Sequence, residues 1–428
     1  MSRTVPQCPV AAAVTTHHPG RCTKQYEITV ITPIVGGGVE PYANDPVWVI
    51  RPTAVRGHLR FWWRATCGMP CSTPVDLFAR EGRIWGTTNG PGGRALASPV
   101  EVEVRILNQG SLRNWRDFQN AGYVLFPFRQ IPNGQVREGV KFALTLRYPQ
   151  ALHNDVETAV WAWVNFGGIG ARTRRGCGAL FCHNGGLHPP NEEAGSWFQA
   201  QRNARQILST PTNPHVPWTC LAQAPLFQRR NPPVNAIQAW NMAVALLRDF
   251  RQAVGFARDP GTGGPMPGRS RWPEADSIRA LAGRTHGPHA TPTTLPAATI
   301  ARQPGFPRAD LGLPIVFQFK GENLRATIEP SESFTRMASP IILRPFAYGN
   351  GTTAIPMLLI LHAPPVSGVD LEWTDDQGNV LGTRQGFPRN TVIDPRLAAY
   401  PNSPMWRRTN NGWAREALFQ FARSRGYA

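Results

Sequence analysis

The sequence is short of acidic residues and almost without lysine. Its 428 residues contain 27 Asp and Glu against 45 Lys and Arg, and only Lys24, Lys141 and Lys320 are lysines. A GC-rich genome exchanges lysine for arginine, but that bias does not remove acids. Since cationic side chains that bind a polyanion release its condensed counterions, the formal net charge of +18 predicts a polyanionic partner.

Three further absences narrow the function classes. No run of eighteen apolar residues occurs, so no transmembrane helix is predicted, and the N-terminal stretch has no signal-peptide core. A metal-dependent nuclease would need clustered carboxylates, and none stand out. We therefore expect a cytoplasmic protein that has no membrane partner.

The seven cysteines are an odd number in a chain without an export signal, which favours thiols over disulfides. Possible metal ligands occur in two groups: Cys67 with Cys71, and Cys177 with Cys182, His183 and His188. Neither group contains the closely spaced C-x2-C pair of a zinc ribbon. We predict buried thiols, no metal site and no cofactor, and the zinc alternative stays open.

Period-two and helical patterns divide the first half into six predicted elements. Strands are predicted at 26–35, 100–107, 141–148 and 179–182, and helices at 52–68 and 155–166. The resulting order, β-α-β-β-α-β, is the ferredoxin-like signature.

A Pro/Asn/Gln-rich stretch indicates a domain boundary near the middle of the chain. We divide the chain into an N-terminal extension (1–25), a ferredoxin-like domain (26–209), a linker (210–235) and a second α+β domain (236–428). In the second domain, helices are predicted at 236–257 and 413–423, with strands at LPIVFQF, PIILRPF and IPMLLIL. A second, more decorated copy of the first domain would fit this pattern.

The helix predicted at 52–68 is amphipathic in an unusual way. Its two stripes are Val55, Leu59 and Trp62 on one side and Arg56, Arg60 and Arg64 on the other. No carboxylate lies between Arg51 and Val75 to offset the mutual repulsion of the three cations. Unless distant acids pair with them, this arginine ridge is better explained by an external polyanion than by a solvated helix face.

The segment FGGIGARTRRGCG, residues 166–178, is rich in glycine and arginine, which predicts a flexible backbone with positive charge. Its candidate RNA-binding residues are Gly167, Gly168, Gly170, Gly176, Arg172, Arg174 and Arg175. Glycines let backbone N–H groups approach an anion, and arginines donate to phosphate oxygens. No G-K-[ST] follows, and the glycines follow a helix instead of a strand, so neither a P-loop nor a dinucleotide site is predicted. A flexible surface turn is the remaining alternative.

These blocks carry a family resemblance. ITPIVGGG, RPTAVRGHLRFWWRA, FGGIGARTRRGCG, SRWPEADSIR, LGLPIVFQFKG and RMASPIILRP, which span residues 31 to about 345, resemble the RAMP superfamily of CRISPR RNA-binding proteins. Together they resemble the first-numbered RAMP subunit of the Cmr module, the type III-B effector. The resemblance implies two ferredoxin-like (RRM-like) domains packed around a basic cleft. It also implies a place near the 3′ part of the guide RNA, where target RNA is captured beside other RAMP subunits.

Two points are left open by the sequence. Some RAMP relatives cleave RNA with a histidine, and His58 is the histidine that lies within a charged motif, but no second titratable partner stands out. We therefore expect a non-catalytic protein, with a His58-dependent ribonuclease as the alternative. Arg269 and Arg271 beside WPEADSIR either bind RNA or pair with Glu274 and Asp276 at a helix start.

Overall fold

The computed structural model describes residues 20–428, except for 39, 41–42, 46, 119–121, 127, 129–130, 132–133, 209–216, 223, 230–233, 262–267, 287–289, 320 and 333. Residues 1–19 of the predicted N-terminal extension lie outside the described residues, whereas residues 21–25 belong to the first strand. The helices are α1 (Pro52–Ala65), α2 (Pro74–Trp85), α3 (His153–Phe166), α4 (Ala194–Ala204), α5 (Ala236–Gln252), α6 (Glu274–Leu281), α7 (Ala297–Arg302) and α8 (Ala414–Ser424).

The strands of the described residues lie in four antiparallel sheets. They are β1 (Arg21–Val30), β2 (Glu101–Asn108), β3 (Ser111–Asn114), β4 (Gln135–Glu138), β5 (Lys141–Pro149), β6 (Leu180–Cys182), β7 (Leu226–Gln228), β8 (Ile315–Phe319), β9 (Leu324–Pro330), β10 (Ile341–Tyr348), β11 (Thr353–Ile360), β12 (Gly368–Thr374) and β13 (Val380–Pro388). The α+β class predicted from the sequence is thereby confirmed.

The first unit is a four-stranded sheet with the spatial order β2-β5-β1-β6. Its chain order, β1-α1-β2-β5-α3-β6, is the β-α-β-β-α-β order that the sequence predicts, with α2 and the β3–β4 hairpin added. Along β1, alternate residues such as Tyr26 and Ile28 are buried, and Tyr26 lies opposite Leu144 of β5. One face of the sheet is thus apolar and is covered by α1 and α3.

The second unit repeats this order with long insertions. Its elements follow one another in the order β7, α5, β10, β11, α8 and the last two residues. One sheet contains β10, β11 and β7 as neighbours. Ala428 exchanges backbone hydrogen bonds with Gln228, so the chain end extends the sheet beyond β7. The second unit therefore begins inside the predicted linker 210–235, because β7 is a strand of its sheet.

The insertions form a further layer. Residues 253–340 lie between α5 and β10, and residues 361–413 lie between β11 and α8. They supply the sheet β13-β12-β9-β8, whose apolar face packs with Ile278 of α6 in a separate core. Strands β9, β12 and β13 were not predicted from the sequence.

The sheet of the second unit separates two hydrophobic cores. Ile342 and Phe346 of β10 face the core that contains α1 and α3, whereas Ile341 and Leu343 face the core of α5 and α8. A strand covered on both faces is mostly apolar, which explains the run PIILRPF except for Arg344. The helix layer of the first unit consequently packs on the sheet of the second.

Candidate nucleic-acid interface

Helix α1 begins at Pro52 and presents the two predicted stripes. Val55, Leu59 and Trp62 are buried, which confirms the apolar stripe. Arg56, Arg60 and Arg64 are partly exposed on the other side. Arg56 donates through Nη2 to the Val100 carbonyl, 3.3 Å away. Because a carbonyl is neutral, this contact does not neutralise the charge of Arg56.

A distant acid pairs with the rest of the arginine ridge, which corrects the expectation of an uncompensated ridge. Glu81 of α2 accepts from Arg60 Nε at 2.5 Å and from Arg64 Nη1 at 2.6 Å. Its side chain is only 5% exposed, so this carboxylate is held by both cations. Three arginines therefore share one negative charge, and the ridge keeps a positive excess.

The glycine-rich loop is packed inside the molecule rather than exposed as a flexible turn. A Cβ on Gly178, whose φ is +61°, would lie 1.9 Å from the Ile169 carbonyl oxygen. A Cβ on Gly176, at φ +78°, would lie 2.6 Å from the Leu343 carbonyl oxygen of β10. These glycines are required by close backbone packing and by positive φ.

Much of the loop backbone already has hydrogen-bond partners within the protein. The N–H groups of Gly167, Gly176 and Gly178 donate to the carbonyls of Trp163, Thr173 and Pro33. The expectation that these glycine amides face an anion is therefore wrong. Gly168 and Gly170 are confined as well, because a Cβ on either would lie 2.8 Å from a backbone oxygen.

Two arginines of the loop contact the chain at the start of β10 or just before it. Arg174 donates to the Ser339 carbonyl, and Arg175 Nη1 donates to the Ile341 carbonyl at 3.0 Å. Burial lowers the pKa of each guanidinium to about 10, so both stay charged at neutral pH. Because each guanidinium has five N–H donors, a bond to one carbonyl leaves other donors for an anion.

A fully buried arginine holds the base of the loop. Arg344 of β10, 1% exposed, donates to the Gly167 carbonyl at 2.8 Å and to the Leu180 carbonyl at 2.9 Å. Burial lowers its pKa to about 9. No local sequence pattern marks this residue, because its carbonyl partners lie far away in the chain.

The structure brings the loop and the ridge together. The Arg174 guanidinium carbon lies 5.2 Å from the centre of the Phe61 ring, between Arg60 and Arg64 in the sequence of α1. Trp63 of α1 is fully buried, and its indole N–H donates to Asp155 at 2.6 Å. Arg174 and α1 thus form one basic surface, and Trp63 belongs to the core.

The arginines near α6 have quite different partners. Arg269 pairs with Asp276 at 2.5 Å, and Arg271 pairs with Asp259 at 2.7 Å. Glu274 is fully buried and pairs with Arg308 at 3.2 Å. Arg269 thus has one of the two predicted helix-start partners, whereas Arg271 pairs with an acid outside α6.

The remaining candidates have structural contacts. His58 stacks on Trp163 with a ring separation of 6.2 Å, and burial lowers its pKa to about 4. His188 Nε2 accepts from the Cys182 backbone N–H at 2.8 Å. Within the described ranges, no three His, Cys, Asp or Glu side chains are grouped so that they could hold a metal ion. No helix in that part of the chain has the length and apolarity to span a bilayer.

Comparison with solved structures finds chains that align with most of this one. The apo crystal structure of Cmr1 from Pyrococcus furiosus aligns with a TM-score of 0.48 and 16% identity, over 81% of this chain and 89% of that one. A chain in the cryo-EM structure of the type III-B Cmr-beta complex bound to cognate target RNA aligns with a TM-score of 0.40 and 11% identity, over 79% and 94%.

Sequence comparison locates the similarity in the first unit. The CRISPR system Cmr subunit Cmr1-1 of Pyrococcus furiosus is 26% identical over 140 residues, which are 31% of this chain and 40% of that protein. The match therefore spans less than half the length of the relative. Residues 27–181 match the model of the RAMP superfamily, which confirms the resemblance to that superfamily for the unit that contains both α1 and the glycine-rich loop.

Proposed function

We propose that this chain is a non-catalytic, RNA-binding RAMP subunit of a type III-B CRISPR ribonucleoprotein. Its partners are the guide RNA, the target RNA and other RAMP subunits of the Cmr effector. The observation that carries the proposal is the RAMP match over residues 27–181, which covers the basic surface formed by α1 and Arg174. By the same resemblance, the chain lies at the end of the complex near the 3′ part of the guide.

Two ferredoxin-like domains with a basic cleft between them form part of this proposal. The repeated order of elements supports the two domains, since β7-α5-β10-β11-α8 with the chain end follows the pattern of the first unit. The cleft would lie where the glycine-rich loop reaches β10.

The charge at this place supports a polyanionic ligand. Five arginines of the ridge and loop, Arg56, Arg60, Arg64, Arg174 and Arg175, meet a single carboxylate, Glu81, in the contacts of the described residues. Carbonyl partners fix the direction of a guanidinium without cancelling its charge. Such a surface binds the sugar–phosphate backbone and carries no base specificity of its own.

The environment of His58 supports the non-catalytic part. A general base or acid works best when its pKa is near the operating pH, and burial lowers the pKa of His58 to about 4. Its ring is also stacked on Trp163. We therefore assign His58 to packing.

RNA binding by the isolated chain tests the first part. The affinity for a labelled single strand should fall linearly with salt on a log–log plot, with similar values for unrelated sequences, and the strand should stay intact during incubation. Absence of binding at about 0.1 M salt, or cleavage that His58→Ala abolishes, would contradict the proposal.

Crosslinking in the assembled complex tests the position. A photoreactive uridine near the guide 3′ end should crosslink to this chain, whereas the same group near the 5′ end should not. Crosslinks only from the 5′ position would place the subunit at the other end.

A further inference from the structure

A short segment between the two units brings aromatic and cationic side chains together. The Arg172 guanidinium carbon lies 5.1 Å from the centre of the Phe126 ring. Three residues earlier, the Tyr123 hydroxyl accepts from Nη1 of Arg251, in the last turn of α5, at 3.3 Å. The segment 122–126 thus joins the glycine-rich loop of the first unit to a helix of the second.

The surroundings of this segment are cationic. The charged groups that act on Arg175 include Arg251, Arg174 and Arg172, and together with burial they lower its pKa to about 10. Burial by itself raises the pKa of Tyr123, but Arg251, Arg175 and Arg308 outweigh that effect and lower it. Arg251 Nε is buried and has no hydrogen-bond partner among the described residues. An anion bound here can satisfy this donor and relieve the repulsion.

The aromatic member is available to a ligand. Phe126 is 54% exposed although most large apolar side chains of this region are buried, as Val124 and Leu125 beside it are. Arg172 reaches it from a left-handed backbone conformation, φ +60°, which residues other than glycine seldom adopt. An exposed ring with a guanidinium against it is the arrangement on which single-stranded nucleic acids stack their bases.

We propose that Tyr123, Phe126, Arg172, Arg175 and Arg251 form a nucleotide-binding step for single-stranded RNA. A base stacks on the exposed Phe126 ring, and the adjoining phosphate accepts from Arg251 and Arg175. This inference rests on the proposed RNA-binding function. It adds a contact in which a base is bound by stacking rather than by charge. It also extends the RNA surface from the first unit to α5 of the second.

Binding to two RNA strands of equal length distinguishes the contribution of base stacking from that of phosphate charge. One carries normal bases, and the other carries abasic riboses with the same phosphates. Phe126→Ala should weaken binding of the normal strand roughly tenfold, leave the abasic strand unaffected, and keep the salt slope unchanged. Arg251→Ala should weaken both strands and reduce the log–log salt slope by about 0.7.

Phe78→Ala is the matched control, because Phe78 is 45% exposed on α2 and lies outside the step. It should bind both strands as the wild type does. Thermal unfolding of each variant monitors the fold, and the exposure of Phe126 predicts little change.

The outcomes distinguish the step from the function on which it rests. If the wild type binds neither strand, the proposed function fails together with the step. If the wild type binds and Arg56→Ala weakens binding, while Phe126→Ala and Arg251→Ala bind normally, only the step is wrong. Equal weakening of both strands by Phe126→Ala also rules out stacking.

Discussion

The arginines of the glycine-rich loop and those around α6 are the same residue type in opposite surroundings. Arg174 and Arg175 donate to the carbonyls of Ser339 and Ile341. Arg269 and Arg271 pair with the carboxylates of Asp276 and Asp259. A carbonyl orients a guanidinium but leaves its charge, whereas a carboxylate cancels it. The first group can therefore attract a polyanion, and the second chiefly holds the fold.

The largest expected effect is the loss of a buried acid near α6. Glu274→Ala leaves Arg308 without its carboxylate and should destabilise the protein by about 3–5 kcal/mol, as removing one partner of a buried ion pair does. Urea unfolding measures the change. Glu329→Ala, on an exposed position of β9, is the control, and an equal loss in both variants would contradict the comparison.

The second prediction concerns the loop. Arg174→Ala/Arg175→Ala should reduce the log–log salt slope of RNA binding by about 1.4, since two phosphate contacts are lost. The lysine pair at the same positions keeps the charge and should keep most of the slope, although it loses the fork geometry. A slope unchanged in the alanine variant would show that the loop binds no phosphates.

The third prediction concerns Arg56, which in the contacts of the described residues is bonded to a carbonyl, unlike its neighbours Arg60 and Arg64 on the ridge, which pair with Glu81. Arg56→Ala should reduce the slope by about 0.7 with little change in the midpoint of thermal unfolding, because its bond to Val100 is long and partly exposed. Arg60→Ala is the informative contrast, since it removes one of the two cations on buried Glu81. We expect the stability of that variant to fall more.

The smallest effect on RNA is expected at α6. Arg269→Gln/Arg271→Gln should leave RNA affinity and salt slope unchanged while lowering the free energy of unfolding, because both charges are already paired. Titration at several salt concentrations, with unfolding measured in parallel, checks both statements. A reduced slope in a fully folded variant would show that these residues contact RNA and would contradict the prediction.

Much of the fold could be predicted because it depends on local patterns. The helix predicted at 155–166 is observed as His153–Phe166, and the strand at 141–148 is observed as Lys141–Pro149. The repeat in the second unit is harder to predict, because two insertions interrupt it and together supply a further sheet. The site was harder, because the partners of its charges lie elsewhere in the chain. Glu81 belongs to α2, a helix that was not predicted, and it pairs with α1.

The buried guanidinium of Arg344 has a consequence for how the protein is made. The carbonyls of Gly167 and Leu180 leave the ribosome 177 and 164 residues before the side chain that binds them. At ordinary elongation rates of about 5–20 residues per second, that interval is roughly 10–35 s. During this time the carbonyls of Gly167 and Leu180 in the nascent first unit lack the Arg344 donor, and β10 does not yet cover the helix layer. Although it is synthesised first, this unit is completed only when the later strand arrives, so the protein becomes competent for its ligand in one late step.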